Sequence, residues 1–311
     1  MAWFRFGDVG RWRAWRRHWL IDPLFGLIDY ALHYGLRSGP IASCSAVGCA
    51  LGVLAGRYRF HAWDRRARDN LRRLRPELAE GRRLDAAITR MWCQIGRVMT
   101  EFSVLDRFWP ANRVTVRGSD AITAARAAGR PVIVMGLHLA NWEIIAPTLT
   151  RLLAPLYFVY QPPRNRFQHR IAVKVRHRCG AILLPPSLVS TRRAHRALVE
   201  ERAALLMFVD ELVGGRVNAP SFGRPLRARG NLANVVRLAL ASDAIVVPAY
   251  VERHAGTRFR VCFEPPVELV RAGDTDALLR ENVRRLDALI TPIVLARLDQ
   301  WLMLHDFRFD R

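Results

Sequence analysis

The sequence has almost no lysine. One of its 49 basic residues is a lysine, Lys174, and the other 48 are arginines, against 27 acidic residues, so the formal net charge is +22. Such a charge excess favours anionic partners, which include nucleic acid, anionic lipid, acidic proteins and phosphorylated substrates. Choosing among them depends on local sequence, because net charge alone does not specify a fold.

Cysteine is also scarce, and two common catalytic motifs are missing. The five cysteines contain no C-x-x-C pair and no zinc-site spacing. Neither a glycine-rich phosphate loop after a strand nor a G-x-S-x-G nucleophile elbow occurs. We therefore expect no metal, no nucleotide cofactor and no serine-hydrolase site, and we expect reduced cysteines buried as small apolar residues. The cysteines are Cys44, Cys49, Cys93, Cys179 and Cys262.

Residues 1–60 are typical of a membrane-associating helical segment. Trp12, Trp15 and Trp19 fall on one helical stripe, among arginines that suit a lipid headgroup boundary. Residues 39–56 then run 18 positions without a charge, which is the lower limit for crossing a bilayer. A spanning helix and a tightly packed one are both compatible with this run, and we favour shallow insertion. A cleaved export signal is disfavoured, because the apolar run starts far from Met1.

Residues 61–311 alternate between short β-rich runs and helical patterns. With 51% hydrophobic residues, the chain can bury a large core. The alternation predicts an α/β domain with a largely parallel central sheet flanked by helices. Ligands of such sheets bind at the carboxyl ends of the strands. The predicted strands are residues 114–117, 132–135, 156–160, 181–184, 204–209, 245–251 and 258–263.

His138 and Glu143 follow the second predicted strand and are separated by four residues. A histidine at a strand exit projects into the ligand crevice, and a carboxylate at the start of the next helix can hold its far ring nitrogen. Such a pair supports proton transfer. The alternative is a structural histidine that caps the following helix.

Other polar residues follow the neighbouring strands. Arg164 comes after the third, and its planar guanidinium could bind a phosphate or an oxyanion, or could be an ordinary surface arginine. Asp210 and Glu211 come directly after the fifth. The second, third and fifth predicted strands thus bring polar groups to one rim.

Taken together, these motifs resemble the lipid A biosynthesis (lauroyl/myristoyl) acyltransferase family, within the H-x4-D/E lysophospholipid acyltransferase group. The resemblance spans nearly the whole chain in order. Its blocks are GLHLANWE at 136–143, YQPPRN at 160–165 with Arg176 and Gly180 downstream, Asp210-Glu211, FGRP at 222–225, Pro248, and WLMLHDFRF at 301–309.

The resemblance implies a transferase on the cytoplasmic face of the bacterial inner membrane, which moves a fatty acyl chain from acyl carrier protein to a hydroxyl of a lipid A precursor. Its partners would be that carrier protein, the glycolipid acceptor and anionic membrane lipid, with no nucleic acid and no cofactor. His138 and Glu143 take the catalytic positions. The implied substrate-binding residues are Asn141, Arg164, Asn165, Arg176, Asp210 and Glu211.

Three positions depart from the family pattern and leave alternatives open. Gln161 stands where arginine is usual, Glu211 where glutamine is common, and Met303 where tryptophan is frequent. These departures bear on the acyl chain and the acceptor. Another glycolipid or phospholipid acceptor, or an acyl-CoA donor, fits the same chemistry. A basic protein that binds membrane or nucleic acid without catalysis is the alternative from another class.

Overall fold

A seven-stranded sheet forms the centre of the α/β region. The computed structural model describes residues 9–78 and 80–309. The strands of this sheet are β1 (Val114–Arg117), β2 (Val132–Gly136), β3 (Leu156–Val159), β4 (Ala181–Leu184), β5 (Ala204–Phe208), β8 (Ile245–Ala255) and β9 (Arg258–Phe263), and a small hairpin pairs β6 (Leu212–Val213) with β7 (Arg216–Val217).

The strand order is β1-β9-β8-β2-β5-β3-β4, and every neighbouring pair is parallel except β8 with β9. The predicted, largely parallel α/β architecture is thereby confirmed. β2 lies near the middle, between β5 and β8. Its Val132 and Val134 join one buried cluster while Ile133 and Met135 join another, so both faces of the sheet are covered.

Helices cover both faces, and five of the described helices precede β1. They are α1 (Val9–Arg16), α2 (Asp22–Ser38), α3 (Ile41–Tyr58), α4 (His61–Leu74), α5 (Gly81–Glu101), α6 (Asp120–Ala127), α7 (Ile145–Leu152), α8 (Arg166–Arg178), α9 (Leu188–Glu200), α10 (Gly230–Ser242) and α11 (Thr275–Leu295). A π-helical segment, Arg17–Ile21, joins α1 to α2. A 3₁₀ segment, Phe102–Arg107, continues α5 toward β1.

Helix α3 packs along α5 at very short range. A Cβ atom added to Gly48 or to Gly52 would collide with α5 backbone, and one on Gly96 would collide with the Gly48 carbonyl. This close approach brings the Cα atoms of Cys49 and Cys93 to 4.0 Å, and the two residues form a disulfide. The expectation that the cysteines are reduced is wrong for this pair, because its distance depends on helix packing that cysteine spacing does not show. Cys44, Cys179 and Cys262 are free and buried, as expected.

The outer faces of α2 and α3 leave many large apolar side chains exposed. By length and composition α3 could cross a membrane, and one third of it is buried inside the protein. The predicted boundary at residue 60 stays a prediction, and residues 1–8, 310 and 311 of the two predicted segments lie outside the described residues. The exposed apolar side chains of α2 and α3 are Leu24, Phe25, Leu27, Ile28, Leu32, Tyr34, Val47, Leu51, Leu54 and Tyr58.

Candidate active site

The loop after β2 carries His138 and is held by the C-terminal segment. β2 ends at Gly136, where a Cβ atom would lie 2.9 Å from the Phe208 ring of β5. The His138 carbonyl accepts a hydrogen bond from the Leu302 N–H at 3.0 Å, and the Ala140 N–H donates to the Gln300 carbonyl at 2.9 Å. Ala140 itself has a positive φ of 49°. The backbone around His138 is therefore fixed from two sides.

The imidazole of His138 pairs with Asp210. Its Nδ1 lies 2.8 Å from Asp210 Oδ1, and its backbone N–H donates to Oδ2 at 2.9 Å. The Trp301 indole N–H donates to the same Oδ2 at 2.9 Å. Asp210 is fully buried, whereas 16% of the His138 side chain is exposed. Three donors hold the Asp210 carboxylate in place, so it acts as the acceptor for the Nδ1–H of His138.

Glu143 does not bind the ring of His138, so the predicted partner is wrong. Its two carboxylate oxygens lie 2.6 and 3.1 Å from Arg176 nitrogens of α8. No hydrogen bond joins Glu143 to His138 in the part of the chain that the structure describes. Asp210 lies two residues after the end of β5, and β5 neighbours β2 in the sheet. Asp210 is therefore close to the His138 ring, whereas Glu143 pairs with Arg176 of α8. Arg176 is thereby placed in this ion pair, with its guanidinium 5.2 Å from the centre of the Tyr160 ring.

Asn141 and Asn165, predicted to bind substrate, make contacts within the protein, and their substrate-binding role stays a prediction. Asn141 is fully buried, and its amide donates to Glu101 at 2.8 Å. The Asn165 side chain accepts from the Phe167 N–H at 2.8 Å as the N-cap of α8, and it donates to the Asp22 carbonyl at 3.2 Å. Sequence position placed both residues at strand exits but could not show which way their amides point.

Arg164 and Glu211 lie at the rim in different environments. Arg164 is exposed, with no hydrogen bond or ion pair to a described residue. Glu211 Oε1 accepts the Asn231 N–H at 2.6 Å, while Oε2 is buried without a protein partner among the described residues. Burial raises the pKa of Glu211 to about 7. Among the described residues, the rim therefore offers Arg164 as a cation without a protein partner and Glu211 as a carboxyl whose pKa is close to neutrality.

Glu101 supports this loop and has no signal in the sequence motifs. It is fully buried at the end of α5 and receives Arg253 of β8 through two contacts of 2.7 and 2.8 Å. It also accepts from Ser45 of α3 at 2.6 Å. With Asn141, four elements converge on one carboxylate. The apolar pattern of α5 is that of a helix packed on a core, and it gives no sign that Glu101 is buried. Only the fold shows the partners of Glu101.

An apolar cavity of about 570 Å³ opens beside the site, between α2, α3, α5 and α8. Its lining includes Trp142, whose indole lies 5.1 Å, centroid to centroid, from the His138 ring. At the same end are Glu143 and Arg176, and α3 and α5 contribute Leu51 and Trp92. The cavity walls are mostly hydrocarbon, so the cavity suits an acyl chain. The His138 imidazole lies close to this cavity because it contacts Trp142 of the lining.

A known protein family matches nearly the whole chain. A family model described as bacterial lipid A biosynthesis acyltransferase matches residues 24–309. No curated protein matches the sequence. Among solved structures, the chain is similar to the 1-acyl-sn-glycerophosphate acyltransferase PlsC from Thermotoga maritima, with 14% identity and a TM-score of 0.37, over 68% of this chain and 89% of that one.

Proposed function

Because the chain belongs to the bacterial lipid A biosynthesis acyltransferase family and is an acyltransferase, we propose that it moves a fatty acyl chain from acyl carrier protein to a hydroxyl of a lipid A precursor. The observation that carries this proposal is the His138–Asp210 pair beside the apolar cavity. A general base next to an acyl-sized space is what the transfer of an acyl chain to an alcohol requires.

His138 acts as the general base through Nε2. Asp210 accepts from Nδ1, so the neutral ring presents the unprotonated Nε2 to the acceptor hydroxyl. Nε2 takes the hydroxyl proton as the oxygen attacks the thioester carbonyl. The buried Asp210 carboxylate stabilises the imidazolium that forms, as the acidic member of a catalytic triad does. No acyl-enzyme is needed, because the acceptor oxygen attacks the thioester directly.

Collapse of the tetrahedral intermediate completes the reaction. The carbon–sulfur bond breaks, the new ester remains on the acceptor, and the imidazolium returns the proton to the leaving thiolate of the carrier. Arg164 is exposed at the rim without a protein partner among the described residues, so its fork is available for a phosphate of the acceptor. The Glu143–Arg176 ion pair forms part of the cavity wall and keeps α8 against the loop.

The exposed apolar faces of α2 and α3 support a position of the cavity at the surface of a membrane. Leu32 of α2 and Leu51 of α3 are half-exposed, and both also line the cavity. An acyl chain can thus enter from lipid without crossing water. Helix α3 packs closely against α5 and is joined to it by the Cys49–Cys93 disulfide, so only the outer face of α3 inserts into the lipid. We place the protein on the cytoplasmic face of the inner membrane, where acyl carrier protein and anionic lipid are both present.

Lipid A mass spectrometry tests the acceptor and the acyl chain. Lipid A from cells that express the protein should gain the mass of one fatty acyl group relative to cells without it. A purified assay with the same acyl chain on acyl carrier protein and on coenzyme A should favour the carrier protein. An unchanged lipid A profile, with transfer to another glycolipid or phospholipid, would overturn the proposed acceptor.

A further inference from the structure

The apolar cavity contains a polar pair that the proposed reaction does not use. His33 of α2 and Ser103 both line the cavity, and both are almost fully buried, at 5% and 4% exposure. The His33 Nδ1 lies 3.1 Å from the Ser103 Oγ. Most of the surrounding walls are hydrocarbon, and four other polar side chains of the lining are paired with each other, Asp29 with Gln168 and Glu143 with Arg176. His33 and Ser103 are therefore a further polar feature along the path available to an acyl chain.

An ion pair one turn along α2 holds the two side chains together. Arg37 binds both carboxylate oxygens of Asp106, at 2.8 and 2.6 Å, and also donates to the Ser103 carbonyl at 3.0 Å. These contacts fix α2 against the 3₁₀ segment that carries Ser103. The relative position of His33 and Ser103 is therefore set by the fold.

His33 retains one ring nitrogen for a ligand. Nδ1 is occupied by Ser103, and Nε2 has no hydrogen-bond partner within residues 9–78 and 80–309. Burial, together with the positive charges of Arg37, Arg178 and Lys174, lowers the pKa of His33, while Asp106 opposes the shift. The ring is therefore neutral at pH 7. A neutral imidazole beside a serine hydroxyl can both donate and accept a hydrogen bond.

We infer that His33 and Ser103 recognise a hydroxyl group on the acyl chain that occupies the cavity, so that the donor is a hydroxylated fatty acyl thioester. This inference rests on the proposed function for the identity of the bound chain. A plain alkyl chain would cover the Nε2 atom without pairing it, and an unpaired buried polar atom is costly. A chain hydroxyl satisfies the same atom, which gives discrimination that an entirely apolar cavity lacks.

Competition for a bound fluorescent fatty acid tests the inference without any acyl transfer. The competitors are dodecanoic acid and its 2-hydroxy and 3-hydroxy derivatives. The wild-type protein should bind one hydroxylated acid roughly tenfold more tightly than the plain acid. His33→Phe should remove that preference while still binding the plain acid, and Ser103→Ala should reduce it. The control Ile171→Val, in the apolar lining, should keep the preference.

Two results would overturn the inference: equal binding of plain and hydroxylated acids by the wild type, or a preference that survives both substitutions. Ser103→Ala removes one oxygen from the pair and serves as the second variant if His33→Phe does not fold. Transfer assays separate the two proposals. Transfer of an acyl chain without any hydroxyl preference contradicts this inference alone, whereas a binding preference without any transfer contradicts the proposed function alone.

Discussion

The edge of the sheet around His138 and the outer surface of α2 and α3 differ in the polarity and in the exposure of their side chains. At the sheet edge, polar side chains are buried and paired, as Asp210 is with His138 and Glu101 is with Arg253. On the outer surface, Leu51 and Leu54 of α3 are about half-exposed to solvent. In the first region Asp210 and Glu101 find their partners within the protein, whereas the apolar area of the second region has no partner among the described residues. Under the proposed function, chemistry depends on rigid internal pairing, and substrate access depends on an external lipid phase.

The largest expected effect is at the sheet edge. His138→Ala should lower kcat by about 10²- to 10⁴-fold, because the general base is lost. Thermal unfolding measures separately the stability that is lost when the buried Asp210 no longer has His138 as a partner. The control is His195→Ala, which removes a histidine with the same four-residue spacing to Glu200, within α9. Equal loss in both variants, or near-normal activity of His138→Ala, would refute the assignment.

Breaking the buried support of the loop should affect stability. Glu101→Gln leaves the Arg253 guanidinium buried beside a neutral amide, and we expect a loss of about 3–5 kcal/mol in the free energy of unfolding. Urea unfolding measures this. Glu281→Gln removes a carboxylate from an exposed ion pair with Arg284 and should lower the free energy of unfolding far less, because water screens that pair. Similar losses in the two variants would show that the Glu101 network is not specially stabilising.

Charges on the outer surface should weaken membrane binding and leave the fold intact. Leu51→Asp combined with Leu54→Asp should reduce binding to anionic vesicles by at least about tenfold, because two half-exposed leucines no longer enter the lipid. Vesicle co-sedimentation measures this effect. Leu188→Asp, at an 82% exposed leucine of α9, should bind as the wild type does. If Leu188→Asp weakens binding as much, the membrane surface is wrongly placed.

A smaller effect, on the pH dependence of stability, is expected at Glu211, the neighbour of the paired Asp210. Burial raises the pKa of Glu211 from an ordinary 4.5 to about 7, so folding favours the protonated form. The stability contributed by that form is fully present below about pH 4.5 and is lost as the pH rises through 7. Relative to Glu211→Gln, the wild type should therefore be less stable at pH 8 than at pH 5. Denaturant unfolding at the two pH values checks this, and a constant difference would contradict it.

The sequence predicted the sheet edge better than it predicted its contacts. All seven runs predicted as strands form the central sheet, because strands buried on both faces are continuous apolar runs with turns between them. His138 and Asp210 were both placed at strand exits. Their pairing depended on β5 lying beside β2, which is a property of strand order and not of spacing along the chain.

The features missed from the sequence depend on helix packing. The Cys49–Cys93 disulfide and the buried Glu101 arise where α3, α5 and β8 meet, and residues more than 40 positions apart contribute to each. His33 and Ser103 are 70 positions apart and come together because Arg37 fixes α2 against the segment after α5. The spacing of apolar residues along the chain shows which face of a helix is buried, but it does not show which other helix packs against that face.

Comparison of Asp210→Asn with Glu143→Gln tests the central claim most directly. Both variants remove one negative charge near His138, and steady-state kinetics with the same acyl carrier protein thioester and lipid A precursor gives kcat for each. We predict that Asp210→Asn lowers kcat by about 10²-fold or more, because the ring loses its acceptor at Nδ1, and that Glu143→Gln lowers kcat by less than about tenfold. A larger loss in Glu143→Gln than in Asp210→Asn would contradict the account.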